Sequence, residues 1–466
     1  MKGTAPAFRE RPGTVAMAES GSPEGRPGQA LETPVDGSFS LVLLLLFLWC
    51  LCSRRMERFE LTAPAAFVLT GLLLGEGTGV LDLALPHETV KVLAEITLVW
   101  VLFTDAARLS LRALRPELGL CVRLLGIGLP LCVGLGTLLA SALLPGVSGW
   151  AALYVGAALA PTDAALGATM MVNPEVPARI RRLINVESGL NDGIVTPLVV
   201  LALAGMSAAQ GTAGPDASGH ALVQLAVGAA YGAVVGLAAG WLLRTTLRRG
   251  WAAEDFAGVG VLALALLGYT SALAIGGNGF VAAFVAGLAF GTTHGAPRRV
   301  LLYVEQSASL LSVLVWLVFG AVLLPEAFAH FTWQVVVYAV LSLTVIRMLP
   351  VALSLIGSGL DAGTVLFVGW FGPRGLASII FGLLAVEELA PAGAQPVVPV
   401  VACTVLLSVL AHGLTSAPLA SRYGRAAAKG MGPSGAAPAE LPVRGMAAGG
   451  LHRIHKPRTQ NADGKR

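Results

Sequence analysis

Long apolar runs alternate with short polar loops over most of the chain. Between residues 39 and 420, runs rich in Leu, Val, Ala and Gly recur, and many approach the roughly 20 residues that an α-helix needs to cross a bilayer. The runs lack the strict alternation of apolar and polar residues that marks the strands of a membrane barrel. Because a backbone in lipid must satisfy its own hydrogen bonds, the pattern predicts an all-α polytopic membrane protein.

Thirteen apolar segments are distinguishable, which predicts about thirteen transmembrane helices. The ninth is short and Gly-rich. The segments are 39–53, 62–76, 89–107, 117–144, 149–172, 183–205, 219–243, 254–275, 278–292, 300–324, 332–356, 363–386 and 395–420. We interpret 39–420 as one transmembrane domain. The flanking stretches 1–38 and 421–466 are small, polar and without periodicity, and they are predicted to be disordered tails, the second one basic.

The composition agrees with a membrane protein, and the charges indicate its orientation. Of 466 residues, 55% are hydrophobic and 12% are charged, about half the charge of a soluble globular protein. Arg clusters follow segments one, three, five, seven and nine, whereas the alternate loops contain no Lys or Arg. By the positive-inside rule the N-terminus lies outside and the C-terminus in the cytoplasm. The net charge of +4 therefore reflects topology, and no nucleic-acid partner is expected.

Two segments are interrupted by residues that break helices. Pro161-Thr162-Asp163 interrupts segment five, and Gly372-Pro373-Arg374-Gly375 interrupts segment twelve. Seven segments separate them, so the two would enter the membrane in opposite orientations, as the paired broken helices of an inverted-repeat transporter do. Two simple proline kinks are the alternative. The charged residue at each break favours the transporter interpretation.

Segment six carries the densest polar group of the apolar region. Glu187 and Asn191 are four residues apart, as are Ser188 and Asp192, so on a helix the two pairs lie side by side. Asn191 is placed to donate its amide hydrogens to Glu187, and Ser188 to share an ion with Asp192. Small hard cations prefer such oxygen ligands. A buried polar network that only joins helices is the alternative.

The break in segment five adds Thr162 and Asp163 to this group. Carbonyl oxygens released at a broken helix can face an ion, so Thr162 and Asp163 are candidates to join Ser188 and Asp192 around a small cation. Asp163 can equally neutralise the N-terminal end of the opposing half-helix. The sequence leaves both roles of Asp163 open.

Two arginines within apolar segments require partners, because an unpaired charge is costly there. We pair Arg347 with Glu187, which keeps Glu187 ionised and leaves Asp192 to titrate. We assign Arg374 to the C-terminal ends of the half-helices. Asp105, at the end of segment three, is either a carboxylate of a cytoplasmic funnel or a solvated charge beside Arg108. The sequence contains no Walker-type phosphate loop, so we expect neither an ATPase nor another enzyme, and no cofactor.

With these residues, the chain resembles the monovalent cation:proton antiporter-1 family, which contains archaeal NhaP and the eukaryotic sodium/hydrogen exchangers. The resemblance rests on Thr162-Asp163, on the string Glu187-Ser188-Gly189-Leu190-Asn191-Asp192, on Arg347 and on the turn around Arg374. It implies the NhaA/NhaP-like antiporter fold: thirteen helices, an inverted repeat, a dimerisation domain and a six-helix core with two crossing broken helices. It also implies a homodimer in the cell membrane.

The same resemblance implies exchange of Na⁺ or Li⁺ for protons, in the service of pH homeostasis. By matching position, Asp192 is the shared cation and proton carboxylate, supported by Asn191, and Glu187 pairs with Arg347. The resemblance likewise implies that Thr162, Asp163 and Ser188 complete the Na⁺ site with Asp192. The chain departs from the family pattern at Thr104 and Pro373. K⁺/H⁺ exchange is the alternative within transporters, and a cation channel or membrane scaffold is the alternative from another class. Because Asn191 cannot titrate, one carboxylate serves both ions, and electroneutral one-to-one exchange is expected.

Overall fold

A computed structural model describes residues 37–59, 61–75, 87–109, 117–211, 217–293 and 296–430. Within these ranges the regular structure is helical and no strand is present. In chain order the helices are α1 (Gly37–Arg58), α2 (Ala63–Leu74), α3 (His87–Ala107), α4 (Leu118–Leu143), α5 (Gly149–Ala158), α6 (Ala168–Val172), α7 (Ala178–Ala209), α8 (Ala217–Arg248), α9 (Glu254–Ala274), α10 (Gly279–Thr292), α11 (Arg298–Phe328), α12 (Trp333–Ser354), α13 (Ala362–Trp370), α14 (Leu376–Glu388), α15 (Pro391–Ala394) and α16 (Val398–Gly430).

Each of the thirteen predicted apolar segments coincides with one helix or with one broken helix in the described part of the chain. Eight of these helices are long and apolar enough to cross a membrane unaided. The fifth segment divides into α5 and α6, and the twelfth into α13 and α14. The interruptions fall at the predicted prolines and glycines. The prediction of an all-α fold with two broken helices is therefore confirmed.

The last helix is longer than predicted. α16 continues to Gly430, so residues 421–430, predicted to belong to the disordered tail, are helical. The ring of Tyr423 stacks on Phe367 with the centroids 4.0 Å apart, and its hydroxyl lies 2.8 Å from Thr364 Oγ1. These contacts, and the helix-favouring alanines that follow, keep the polar end of α16 helical. The rest of the two predicted tails, 1–36 and 431–466, lies outside the described residues.

Six segments pack around the two interruptions and form the core predicted for the site. α5 packs between α4 and α7, while α12 contacts α13, α16 and α4, and α14 packs against α16. A second group consists of α2, α3, α8, α9, α10 and α11, which pack mainly on one another. α3 and α8 of this group contact α7 of the core, and α3 also contacts α14.

A row of glycines sets the closest helix contact of the second group. The row occupies the face of α8 that packs on α10: Gly228, Gly232, Gly236 and Gly240. A methyl group at Gly232 would lie 2.3 Å from the carbonyl oxygen of Ala282, and one at Gly236 would lie 2.2 Å from that of Ala286. Small residues allow this approach of two backbones, which in lipid replaces hydrophobic burial as the force between helices.

We predict that Gly232→Ala lowers the melting temperature of the detergent-solubilised protein, because the methyl group pushes α8 away from α10. Overpacking of this kind costs roughly 1–3 kcal/mol. Gly260→Ala in α9 is the matched control, since a methyl group there meets no atom within 4 Å and alanine favours the helix. Thermal unfolding followed by intrinsic fluorescence measures both variants, and equal melting temperatures would contradict this packing.

Candidate functional site

The two broken helices meet at Asp163. Its backbone N–H donates to the Pro373 carbonyl at 2.8 Å, which joins the two interruptions directly. Its carboxylate accepts from Ala165 N–H at 2.9 Å and from Leu376 N–H at 3.1 Å. Leu376 begins α14 and Ala165 lies in the short turn that leads into α6. One carboxylate therefore caps the N-terminal ends of both half-helices, and of the two roles left open for Asp163 this geometry favours stabilisation of the crossing.

Arg374 provides the opposite charge for the opposite end. Its Nη1 donates to the carbonyls of Ala160 at 2.6 Å and Pro161 at 3.3 Å, just beyond α5, and its Nη2 donates to Ser342 at 3.3 Å. Carbonyls at the end of a helix lack intrahelical donors, and Pro161 supplies no N–H to the chain. The guanidinium satisfies these groups inside the protein, where no part of Arg374 is exposed.

Glycine provides the space for both charged groups at the second interruption. A methyl group at Gly375 would lie 2.3 Å from Asp163 Cβ, and one at Gly372 would lie 2.2 Å from Arg347 Nε. Both distances are too short for non-bonded atoms, so larger residues would displace the side chains. The glycines that mark the break in the sequence thus have a packing function as well.

Helix α7 brings its polar face to the first interruption. Thr162 Oγ1 lies 2.9 Å from Ser188 Oγ and accepts from Asn191 Nδ2 at 2.7 Å. Asp192 lies one turn beyond Ser188, where its carbonyl accepts from Thr196 Oγ1 at 2.7 Å. All five residues are buried. The structure therefore assembles hydroxyl, amide and carboxylate groups beside the crossing.

Asn191 differs from the expectation. Its amide was expected to donate to Glu187, but it donates to Thr162 instead, because Glu187 faces α12 and the Thr162 hydroxyl is within reach at the break. Among the described residues, Asn191 Oδ1 is buried without a hydrogen-bond partner. An oxygen in this condition is a suitable cation ligand.

Glu187 and Arg347 form a buried ion pair with two contacts. Arg347 Nη2 donates to Glu187 Oε2 at 2.9 Å, and Nη1 contacts Oε1. Each residue exposes no more than 3% of its surface. A two-pronged contact of this kind between guanidinium and carboxylate is the strongest arrangement available to the pair.

Asp105 faces the core helix that carries the polar group. A methyl group at Gly189 would lie 3.6 Å from Asp105 Cβ, so Asp105 on α3 packs against α7 immediately after Ser188. Its neighbour Arg108 forms an ion pair with Glu305 of α11, 2.8 Å from Nη1 to Oε1. Arg108 is thus directed towards α11, and Asp105 towards α7.

An apolar cleft of about 440 Å³ lies between the core and the second group of helices. Leu190 of α7 forms one wall, and residues of α8 and α10 form the others, among them Leu237, Leu288 and Thr292. Leu109, just after α3, closes one side. The cleft therefore reaches α7 next to Asn191, at the level of the Asp105 end of α3.

Two residues at the second interruption were not anticipated. Ser408 of α16 accepts from Arg374 N–H at 2.7 Å, and His412 Nε2 lies 2.9 Å from the Trp370 carbonyl. Their spacing of four residues in segment thirteen repeats that of Ser188 and Asp192 in segment six. That repetition was the available signal in the sequence.

Known proteins resemble this chain along most of its length. A family model described as "Sodium/hydrogen exchanger, transmembrane" matches residues 41–422. The K⁺/H⁺ antiporter NhaP2 of Shewanella oneidensis is 25% identical over 383 residues, which are 81% of this chain and 66% of that protein. The Na⁺/H⁺ antiporter of Schizosaccharomyces pombe is 26% identical over 316 residues, 59% of this chain and 65% of that protein. The chain therefore spans about two thirds of the length of these relatives.

The fold is also similar to a solved structure. The sodium proton antiporter MjNhaP1 from Methanocaldococcus jannaschii superimposes with a TM-score of 0.67 at 20% identity, and the match covers 83% of this chain and 99% of that one. This likeness concerns the fold, with its helices in the same arrangement. Because the family model covers residues 41–422, which include both broken helices and every candidate site residue, this chain belongs to the transmembrane sodium/hydrogen exchanger family.

Proposed function

We propose that the protein is a secondary antiporter that exchanges Na⁺ or Li⁺ for H⁺, with Asp192 as the carboxylate that both ions occupy in turn. The observation that carries the proposal is the group formed by Thr162, Ser188, Asn191 and Asp192 beside two crossing broken helices. Polar and ionisable groups in a membrane segment are costly and mark an ion pathway, and a crossing of this kind is the place where transporters bind ions.

The ligand atoms suit a small monovalent cation. Thr162 and Ser188 offer hydroxyl oxygens, Asn191 an amide oxygen and Asp192 a carboxylate, all of them hard donors. We assign Asp163 to the crossing, since both its carboxylate oxygens already accept backbone hydrogens. Asp105 is assigned to the cytoplasmic approach, because it faces α7 next to the site.

Two other charges of the core are engaged in structural contacts. Glu187 is neutralised by Arg347, and Arg374 donates to the carbonyls beyond α5, so we assign the exchange to a single carboxylate. One carboxylate holds a cation or a proton, but not both, because the two compete for the same oxygens. Competition for this one site is sufficient to couple the cation flux to the proton flux.

K⁺ in place of Na⁺ is the second candidate. It is favoured by relatives named K⁺/H⁺ antiporters, in Shewanella oneidensis and Alkalimonas amylolytica. A channel on the same helices is the candidate from another class. Proton flux in proteoliposomes, driven in turn by each alkali cation, separates all three, since a channel carries current without obligatory exchange.

The setting of the transporter belongs to the same proposal. We place the protein in the cell membrane as a homodimer, with its N-terminus outside and its C-terminus in the cytoplasm, where it contributes to pH homeostasis. The orientation follows from the Arg residues that flank the ends of α3, α7, α8 and α11 on one side. The dimer follows from the family resemblance.

The first prediction is that Asp192→Asn abolishes exchange while the protein still inserts in the membrane, because an amide neither titrates nor neutralises a cation. Proton flux in cation-loaded proteoliposomes measures the loss. Asp255→Asn, at the exposed start of α9, is the matched control and keeps full activity. Clear residual exchange by folded Asp192→Asn protein would move the titrating role to Asp163.

The second prediction concerns the Glu187–Arg347 pair. Glu187→Ala strands a buried guanidinium and costs roughly 3–5 kcal/mol, so it lowers the melting temperature more than Asp192→Asn does. Replacing both partners, Glu187→Leu with Arg347→Met, removes the stranded charge and restores much of the stability. Equal melting temperatures for Glu187→Ala and Asp192→Asn would refute a stabilising pair.

The third prediction is electroneutral exchange. One cation moves against one proton in each cycle, so no net charge crosses and the rate is insensitive to membrane potential. Proton flux in sodium-loaded proteoliposomes is measured with the potential set by potassium and valinomycin, under conditions where potassium is not transported. A rate that changes several-fold with the imposed potential would point to a second titrating group, with Asp163 examined first.

A further inference from the structure

Helix α16 contacts the second interruption at Arg374 and at Trp370. Ser408 Oγ accepts from the Arg374 backbone N–H at 2.7 Å, inside the interruption. One turn later, His412 Nε2 lies 2.9 Å from the carbonyl of Trp370, the final residue of α13. His412 exposes 1% of its surface and Ser408 none. These are therefore structural contacts of the core and not surface contacts.

Both imidazole nitrogens of His412 lie within hydrogen-bond distance of a carbonyl oxygen, which only accepts. Nε2 lies 2.9 Å from the Trp370 carbonyl, and Nδ1 lies 2.9 Å from the Ser408 carbonyl. Nδ1 also lies 3.3 Å from Ser408 Oγ, whose oxygen accepts from Arg374 N–H. With a proton on Nε2, the imidazole donates to Trp370 and connects Ser408 and the Arg374 backbone to the end of α13.

The Trp370 side chain reinforces this attachment. Its ring stacks on the His412 imidazole, with the centroids 5.2 Å apart and the planes at 29°. Its indole Nε1 donates to Thr415 Oγ1 at 3.0 Å. α13 and α16 are thus joined at Trp370 by one hydrogen bond to the backbone and another to the indole, and the two can be removed separately.

The inverted repeat relates Ser408 and His412 to Ser188 and Asp192. Segments six and thirteen are seven segments apart, as are the broken segments five and twelve. Ser188 bonds to Thr162 at the first interruption, and Ser408 bonds to Arg374 at the second. Four residues after each serine stands a polar group, Asp192 in one repeat and His412 in the other. The same two helical positions therefore carry an ion ligand in one half and a helix anchor in the other.

We propose that His412 is a positioning residue for the cation site, an inference that rests on the proposed antiport function and deepens it. The imidazole fixes the end of α13 and, through Ser408, the Arg374 backbone. The interruption so fixed contains the Pro373 carbonyl that holds Asp163 N–H, and it ends at the Leu376 N–H that holds the Asp163 carboxylate.

The effect passes from Asp163 to the cation ligands. Thr162 precedes Asp163 and provides the hydroxyl that meets both Ser188 and Asn191. When the anchor at Trp370 is lost, the second interruption shifts, Asp163 follows its two partners, and the Thr162 hydroxyl leaves its position. Cation affinity then falls, although His412 does not touch the ion.

Three substitutions at one position separate this role from titration. His412→Gln places an amide nitrogen where Nε2 lies and keeps the donor to Trp370, whereas His412→Asn ends near the position of Nδ1 and loses that donor. His412→Ala removes both contacts. Neither Gln nor Asn titrates, so a difference between them reports the donor alone. Thr415→Val is the matched control, because it removes the indole hydrogen bond and leaves the Trp370 carbonyl anchored.

The experiment is Na⁺-driven proton flux in proteoliposomes containing the full chain, normalised to inserted protein. The readout is the Na⁺ concentration for half-maximal rate, which a mere loss of folded protein does not change. His412→Ala and His412→Asn should raise it roughly two- to tenfold, the effect of one lost buried hydrogen bond. His412→Gln and Thr415→Val should retain the wild-type value.

Two outcomes would overturn the proposal: an unchanged half-maximal concentration in His412→Ala, or a His412→Gln variant as impaired as the alanine variant. Failure of the proposed antiport function gives a different result: the wild-type protein itself then shows no cation-dependent proton flux.

Discussion

The architecture depends on how four helix ends are neutralised inside a membrane protein. Two half-helices begin and two end where α5, α6, α13 and α14 meet, and each end presents backbone groups without intrahelical partners. Asp163 accepts from the two beginnings, while Arg374 donates to the carbonyls beyond α5 and His412 Nε2 lies against the last carbonyl of α13. Without these groups the unsatisfied backbone would cost several kcal/mol for each backbone group left without a partner.

The crossing in turn determines which polar groups are available for chemistry. Once the break exists, Thr162 lies outside any helix and its hydroxyl can meet α7. The pair formed by Glu187 and Arg347 fixes α7 against α12, so the polar face of α7 is held in register with the break. The site is therefore a product of packing between elements that are far apart in sequence, and each of the charged groups that build it has a specific partner.

The sequence predicted much of this because membrane physics constrains it strongly. Apolar length alone located all thirteen segments, and Pro161 and Gly372 located the interruptions. The need of Arg347 for a carboxylate led to Glu187. The prediction was weaker where a side chain has several possible partners within reach. Asn191 donates to Thr162 instead of Glu187, and both Asp163 carboxylate oxygens accept from backbone N–H groups. Such choices depend on ångström-scale positions that periodicity does not contain.

Two other features were not predicted from the sequence, for different reasons. The end of α16 was placed too early because polarity was taken as the end of the helix, whereas Tyr423 packs on Phe367 and extends the helix beyond the apolar run. His412 was not predicted as a site residue. It stands four residues after Ser408, as Asp192 stands four residues after Ser188, but the different residue type obscured this repeated spacing.

The order of the buried partners along the chain has a consequence for biosynthesis. Glu187 precedes Arg347 by 160 residues, and the carbonyl of Ala160 precedes Arg374 by 214. At a synthesis rate of 5–20 residues per second, Arg347 is made on the order of ten seconds or more after Glu187. Each guanidinium therefore enters a membrane that already contains its acceptor. Glu187 does not have this advantage, because α7 is made before the helix that carries its partner Arg347.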